Sequence, residues 1–216
     1  MPCLRAVLFD YNGTLLNDLP LAFASVQKIF RCYQLPEPTL EQYRDEITSN
    51  FMEFYWNHGM PRQVTGDDLN KIRKEYFKDH WTKAYFRPDT ESVLKKCREQ
   101  NLLVAIVSAE IKESLEKRLA EAKLDGYFHL VRTQAWPKKE ALAETVERLN
   151  IPAPSAVYVD DTHEGITDAK SLGMKTIGLT AGYNSVERII AANPDFVINE
   201  LSELIPHIVH VCSCGR

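Results

Sequence analysis

Apolar and polar positions along the chain fall into two textures, and the change comes near residue 88. At the start, four apolar residues, Ala6–Phe9, run into Asp10, and Asn12-Gly13-Thr14 then gives a strong turn signal. This predicts a buried strand that ends on a carboxylate. From Pro88 onward, strand-like and helix-like patterns alternate. The periodicity predicts helices over 91–100 and 111–122, the second with Leu115 and Leu119 four apart on one face. A third helix, 139–149, carries Leu142, Val146 and Leu149 on one face, and a fourth, 166–172, stops at Gly173, a good C-cap. Strands are predicted at 102–107, 130–133, 156–159, 175–179 and 196–198. Such alternation makes the fold class α/β, with a mostly parallel sheet and helices on both faces.

Residues 17–86 read differently. Helical stretches are predicted at 19–33, 40–47 and 67–85, with no strand pattern, and aromatics are dense: Phe51, Phe54, Tyr55, Trp56, Tyr76, Phe77, Trp81, Tyr85 and Phe86. We read this segment as a helical insert after the first strand, with most of its aromatics forming its own core. The sheet domain then comprises residues 1–16 and 87–216.

A chain of 216 residues suits one large domain, or one domain with a smaller insert. An apolar fraction of 44% supplies an ordinary core, and a net charge of −4 argues against nucleic acid or an anionic membrane as the main partner. The longest apolar run, 102–107, is too short to span a bilayer, and the first is already a strand rather than a signal sequence. Five dispersed cysteines (Cys3, Cys32, Cys97, Cys212 and Cys214) point to reduced thiols and a cytoplasmic location. Cys212-x-Cys214 would need two more ligands to hold zinc, with only His207 and His210 nearby, and reads as a frayed tail.

Three apolar strands stop on polar residues: Asp10, Ser108 and the pair Asp160-Asp161. If the strands are parallel and adjacent, these side chains gather at the carboxyl edge of the sheet, where ligands bind in open α/β folds. One strand-end Asp or Ser commonly caps the next helix. Three of them, with Lys138-Lys139 at a helix start between the second and third, form a more specific pattern.

The segments AVLFDYNGTLLND, IVSAE, PKKEAL and VYVDDTHEGI together resemble the four motifs of the haloacid dehalogenase (HAD) superfamily. Arg87-Pro88-Asp89 resembles the return from a cap into the core. The resemblance covers all but the insert and the tail. It implies a Rossmann-like core, with 17–86 as the helical cap of subfamily I in the phosphoglycolate-phosphatase-like branch. It also implies an enzyme that hydrolyses a small phosphorylated metabolite, acting as a monomer or homodimer. Asp10 would be the nucleophile that carries an aspartyl phosphate. Mg²⁺ would be held by Asp10, the backbone carbonyl of Asn12 and Asp161. Gly13, Thr14, Ser108, Ala109 and Lys138 would hold the phosphate, with Lys138 balancing its charge and Lys139 as the alternative register. Asp160 and Glu164 would stand behind the metal ligands. Ser108 keeps a rival reading as a helix cap, and Asp160 another as a cap.

Two letters depart from the family pattern. The residue two after the nucleophile is usually an Asp that protonates the leaving group and then deprotonates water; here it is Asn12, which can do neither. The usual Asp four residues after the metal ligand is Gly165, for which Glu164 or Asp160 could substitute. His163 or Glu164 could supply the missing acid. These departures leave two alternatives open. One is a HAD enzyme of another class, catalysing phosphonate C–P cleavage, dehalogenation or phosphoryl transfer. The other is a catalytically impaired binding protein. In the cap, Arg44 reads either as a partner for an anionic substrate group or as a solvated helix residue. Thr48, Ser49 and Asn50 read as hydrogen-bonding groups or a turn.

Overall fold

A computed structural model describes residues 3–212. The chain begins with β1 (Ala6–Phe9) and β2 (Leu16–Asn17), then forms four helices: α1 (Leu19–Cys32), α2 (Leu40–Glu46), α3 (Phe51–Asn57) and α4 (Gly66–His80). It returns through β3 (Tyr85–Phe86) and alternates from there. The remaining elements are α5 (Thr90–Glu99), β4 (Leu103–Val107), α6 (Lys112–Glu121), β5 (Leu130–Arg132), α7 (Lys138–Arg148), β6 (Ala156–Asp160), α8 (His163–Ser171), β7 (Lys175–Leu179), α9 (Val186–Ala191), β8 (Phe196–Ile198) and α10 (Leu204–Cys212).

Six strands form one parallel sheet in the order β5-β4-β1-β6-β7-β8. Side chains alternate across it, as the pleat requires. Val7 and Phe9 of β1 pack with Val93 and Leu94 of α5, Leu115 and Leu119 of α6, and Leu204 and Ile208 of α10. Ala6 and Leu8 pack on the opposite face with Ala141, Leu142 and Val146 of α7 and Ala169 of α8. Both faces are therefore covered, which explains why the central strands are apolar throughout. Gly173 ends α8 at φ +79, a left-handed position that favours glycine, and Met174 N–H closes back on Ala169 at 3.2 Å.

The insert has its own core. Val26, Ile29 and Phe30 of α1 meet Tyr43 of α2, Phe54 and Tyr55 of α3, and Leu69 of α4. Capping boxes Thr39–Gln42 and Thr65–Asp68 start α2 and α4.

The structure corrects the reading of this segment in three places. It contains a strand: β3 pairs antiparallel with β2, Leu16 opposite Phe86 and Asn17 opposite Tyr85. The helix expected to reach residue 85 stops at His80. Tyr76, Phe77 and Phe86 pack against the core of the sheet rather than that of the insert. A two-residue strand has no period to read, and its partner lies far away along the chain. Helices α3, α9 and α10 were not expected either; α3 and α9 are too short to show a full amphipathic repeat. Among the described residues no helix is long and apolar enough to cross a membrane. The Cys212-x-Cys214 pair lies outside the described side chains.

Candidate active site

Because β4, β1 and β6 are neighbours, their carboxyl ends meet at one edge. Strand order reverses between β1 and β6, the switch point at which open α/β sheets form a crevice. Asp10 follows β1 and is fixed by its backbone N–H, which donates to the Val159 carbonyl at 2.9 Å. Asp160 ends β6 and Asp161 follows it, both fully buried. Carboxylate oxygens of Asp10, Asp160 and Asp161 lie within 4.8 Å of one another.

Lys138, the first residue of α7, reaches into this cluster. Its Nζ donates to Asp10 Oδ1 at 2.6 Å and to the Val107 carbonyl at 2.9 Å. Lys139 is exposed on the same helix. Of the two lysines, Lys138 is the one in contact with the carboxylate cluster. Burial pushes the Asp10 carboxyl up to about 7; Lys138 opposes the shift and Asp160 adds to it. Burial and the charges of Asp160 and Asp10 hold Asp161 well above the usual carboxylate range. For Lys138, burial pulls the pKa down, but Asp10 and Asp160 outweigh it and leave the ammonium raised. Three carboxylates share one ammonium, so the cluster carries excess negative charge that a hard divalent cation would neutralise.

The two aspartates after β6 have different roles. Asp161 Oδ1 accepts from Thr14 Oγ1 at 2.7 Å, and Oδ2 accepts from Tyr183 N–H at 2.6 Å. It is clasped between two glycines: a Cβ on Gly13 would lie 2.1 Å from Asp161 Oδ2, and one on Gly182 would lie 2.2 Å away. Gly13 also has φ +78, so both space and backbone call for glycine there. Asp160 Oδ1 accepts from Thr162 N–H and Oγ1, but its buried Oδ2 has no partner. A Cβ on Gly165 would lie 1.9 Å from that oxygen. The Asp160 carboxylate therefore occupies the space that a side chain at 165 would need. Glu164 points elsewhere, accepting from the backbone N–H and Oγ of Ser49 in the insert.

The other expected residues are placed as follows. Ser108 is buried behind the edge; its Oγ accepts from Glu110 N–H at 3.1 Å and it is not the N-cap of α6, which is Ile111. Ala109 lines the cleft beside it. Thr14 serves Asp161. The N–H of Gly13 serves Leu16 and Asp18. His163 does not line the cleft, and its backbone N–H bonds Asn184 Oδ1. Arg44 is neither solvated nor free for a substrate: its Nη2 donates to the carbonyls of Thr180 at 2.6 Å and Asn184 at 2.9 Å, tying α2 to the loop after β7.

Three residues at the site escaped the sequence. Asp18, 6% exposed, accepts from Asn12 Nδ2 at 2.9 Å, Gly13 N–H at 2.9 Å and Tyr183 O–H at 3.0 Å. Burial raises its carboxyl, and those three hydrogen bonds oppose the rise. Tyr183 arrives from the loop after β7 and also packs on Tyr43 of the insert, with ring centroids 6.3 Å apart. Arg87, at the return from the insert, donates to the carbonyls of Gly13, Thr14 and Ala181 and braces the first loop against the last.

Above the cluster, the insert and the sheet domain enclose a cleft of about 980 Å³. Asp10, Asn12 and Lys138 lie on its floor, and Tyr55, Asn70, Arg73 and Lys74 of the insert line its upper wall. Arg73 pairs with Asn70 and Tyr55 rather than with a carboxylate.

Residues 7–179 match the family model described as haloacid dehalogenase-like hydrolase. The chain is 26% identical over 217 residues to a phosphoglycolate phosphatase of Vibrio parahaemolyticus serotype O3:K6, covering 94% of this chain and 95% of the relative. It is 24% identical over 211 residues to a pyrophosphatase of Bacillus cereus (strain G9842), with coverage of 94% and 95%. A crystal structure described as a predicted phosphatase from Clostridium acetobutylicum superposes with a TM-score of 0.80 at 20% identity, over 97% of this chain and all of that one.

Proposed function

The chain belongs to the haloacid dehalogenase-like hydrolase family, and from that premise we propose that it is a Mg²⁺-dependent phosphatase of small phosphate esters, working through a phosphorylated Asp10. One observation carries the reading: the 2.6 Å contact between Lys138 Nζ and Asp10 Oδ1, on the floor of a cleft and inside a cluster of three carboxylates.

The donor set fits a hard cation, with oxygen ligands only and one buried carboxylate oxygen left without a partner. Asp10, the Asn12 carbonyl, Asp161 and the free oxygen of Asp160 would hold it. When bound, Mg²⁺ would neutralise charge on the transferring phosphoryl group and lower the effective basicity of the cluster. Asp10 attacks phosphorus, the bond from phosphorus to the ester oxygen breaks, and the alkoxide takes its proton from solvent as it leaves. Water then attacks phosphorus, breaks the bond to Asp10 and releases phosphate and a proton, restoring the carboxylate. Lys138 holds Asp10 in place and offsets the anionic charge that builds around it. The insert excludes water while the ester is bound. Asn12 donates a hydrogen bond to Asp18 but moves no proton.

The substrate that fits is a phosphate ester or anhydride with a second anionic group. Arg73 is a partly buried cation on the upper wall with no carboxylate partner among the described residues. Phosphoglycolate and pyrophosphate, named for the relatives above, are small and carry such a group, which makes them the first substrates to try.

The test is phosphate release from a panel of small esters, with and without Mg²⁺, alongside Asp10→Asn. Mg²⁺-dependent release that Asp10→Asn abolishes is the expected result. Release that survives Asp10→Asn would overturn the assignment of the nucleophile. A second reading, a fold that binds a phosphorylated ligand without turning it over, is favoured by the amide at position 12. Acid quenching separates the two, because only the enzyme traps an acyl phosphate on Asp10.

A further inference from the structure

Asp18 is a buried carboxylate that the phosphoryl chemistry leaves without a role. It sits at the N-cap of α1, yet its side chain bonds none of that helix's free N–H groups. It turns toward position 12 instead. Oδ2 accepts from Asn12 Nδ2 and Tyr183 O–H, and Oδ1 accepts from Gly13 N–H, at 2.9, 3.0 and 2.9 Å. Every group that faces it is a donor. A carboxylate among three donors is fully matched. A second carboxylate in place of the amide would set acceptor against acceptor on the partly buried floor of the cleft and lose the hydrogen bond between the two side chains.

We propose that Asn12 and Asp18 are a matched pair in which Asp18 is a positioning residue that orients the Asn12 amide on the cleft floor, and that this pairing is why position 12 holds an amide. The inference deepens the phosphatase reading, and its kinetic part rests on that reading. With Nδ2 held by Asp18, Oδ1 is the amide atom left to meet substrate or water. As an acceptor it can align a water O–H, but it takes no proton. The same pairing means that an acid at position 12 cannot be installed by changing that residue alone. The exchange must be reciprocal, because an amide at position 18 would give a new carboxylate at 12 its donor and still accept from Gly13 N–H through its own oxygen.

The experiment compares native protein, Asn12→Asp, Asp18→Asn and the double variant, by thermal unfolding and by steady-state phosphate release. Each single change should lower the melting temperature by about 5 °C or more, and the double should recover most of that loss. Asn12→Asp alone should raise kcat less than about tenfold. The double should raise it by roughly 10²–10⁴-fold at similar KM, the range general acid–base catalysis supplies. If Asn12→Asp alone matches the double, or if the two destabilisations simply add, the pairing is wrong. If none of the four proteins releases phosphate, the phosphatase reading fails by itself; the thermal cycle then still decides the pair, recovery supporting it and additivity overturning it.

Discussion

Burial of Asp10 makes the metal-free protein sensitive to pH in a direction opposite to that of most salt-bridged carboxylates. Its carboxyl rises from 3.8 to about 7 on folding, chiefly through burial. A raised value means that the folded state holds the proton longer than the unfolded chain does. The associated stability is complete below pH 4 and is lost as the pH climbs through 7. At about 1.4 kcal/mol per pH unit the full loss is roughly 4 kcal/mol, of which about 3 falls between pH 5 and pH 8. For a chain of this size, that corresponds to a fall in melting temperature of roughly 5–10 °C. Asp161 and Asp18 are raised too and push in the same direction. The assay is thermal unfolding from pH 5 to 8 in chelator, for native protein and Asp10→Asn. The native protein should melt lower at pH 8, and the variant should lose the share of that slope that belongs to Asp10. Mg²⁺ at about a hundred times its dissociation constant should restore roughly 2.7 kcal/mol at pH 8, where the carboxylates are ionised. A metal-free native protein that melts as high at pH 8 as at pH 5, or an Asp10→Asn profile that superposes on it, would refute the reasoning.

Lys138→Met should cut phosphate release by about 10²–10³-fold, since a charge aimed at the reacting group is lost, while Lys139→Met leaves kinetics unchanged. Gly165→Asp should lower stability by roughly 1–3 kcal/mol in denaturant unfolding, because its Cβ has no room beside Asp160. Adding Asp160→Gly to it should recover that loss and keep metal binding measurable by calorimetry. Arg44→Lys should loosen the insert and raise protease cleavage between α1 and α4, since one ammonium cannot reproduce the fork that holds two carbonyls. Equal cleavage of variant and native protein would remove Arg44 from that role.

The parts of the site legible in the sequence are those that local pattern fixes. Asp10 and the Asp160-Asp161 pair end apolar runs, and Lys138 starts a periodic helix, so chain order alone carried them to one edge. Choosing Lys138 over Lys139 took coordinates, because neighbouring residues at a helix start differ only in the direction they face. Asp18 was hidden by its position: an aspartate ahead of a helix looks like an ordinary N-cap, and only the absence of a capping bond reveals that it is used elsewhere. Tyr183 and Arg87 were hidden by distance, since their partners at Asp18 and Gly13 lie 165 and 74 residues away. Asp160 was readable as a candidate, but its advantage over Glu164 came from a steric fact, the space beside Gly165.

The pairing of Leu16 with Phe86 places the exit and re-entry points of the insert side by side. Hairpin turns of two residues close such a gap, so the architecture is a socket into which one lid can be exchanged for another without disturbing the sheet. Insert and sheet domain also touch away from the joint, through Arg44 with the Thr180 and Asn184 carbonyls and Ser49 with Glu164, but one contact at the joint reaches the site itself. Asp18 falls on the lid side of the joint, while Asn12, the group it holds, stays with the floor. A lid transplanted from a relative at this seam would sever that hydrogen bond. The join that keeps both parts working lies one residue further along, after Asp18.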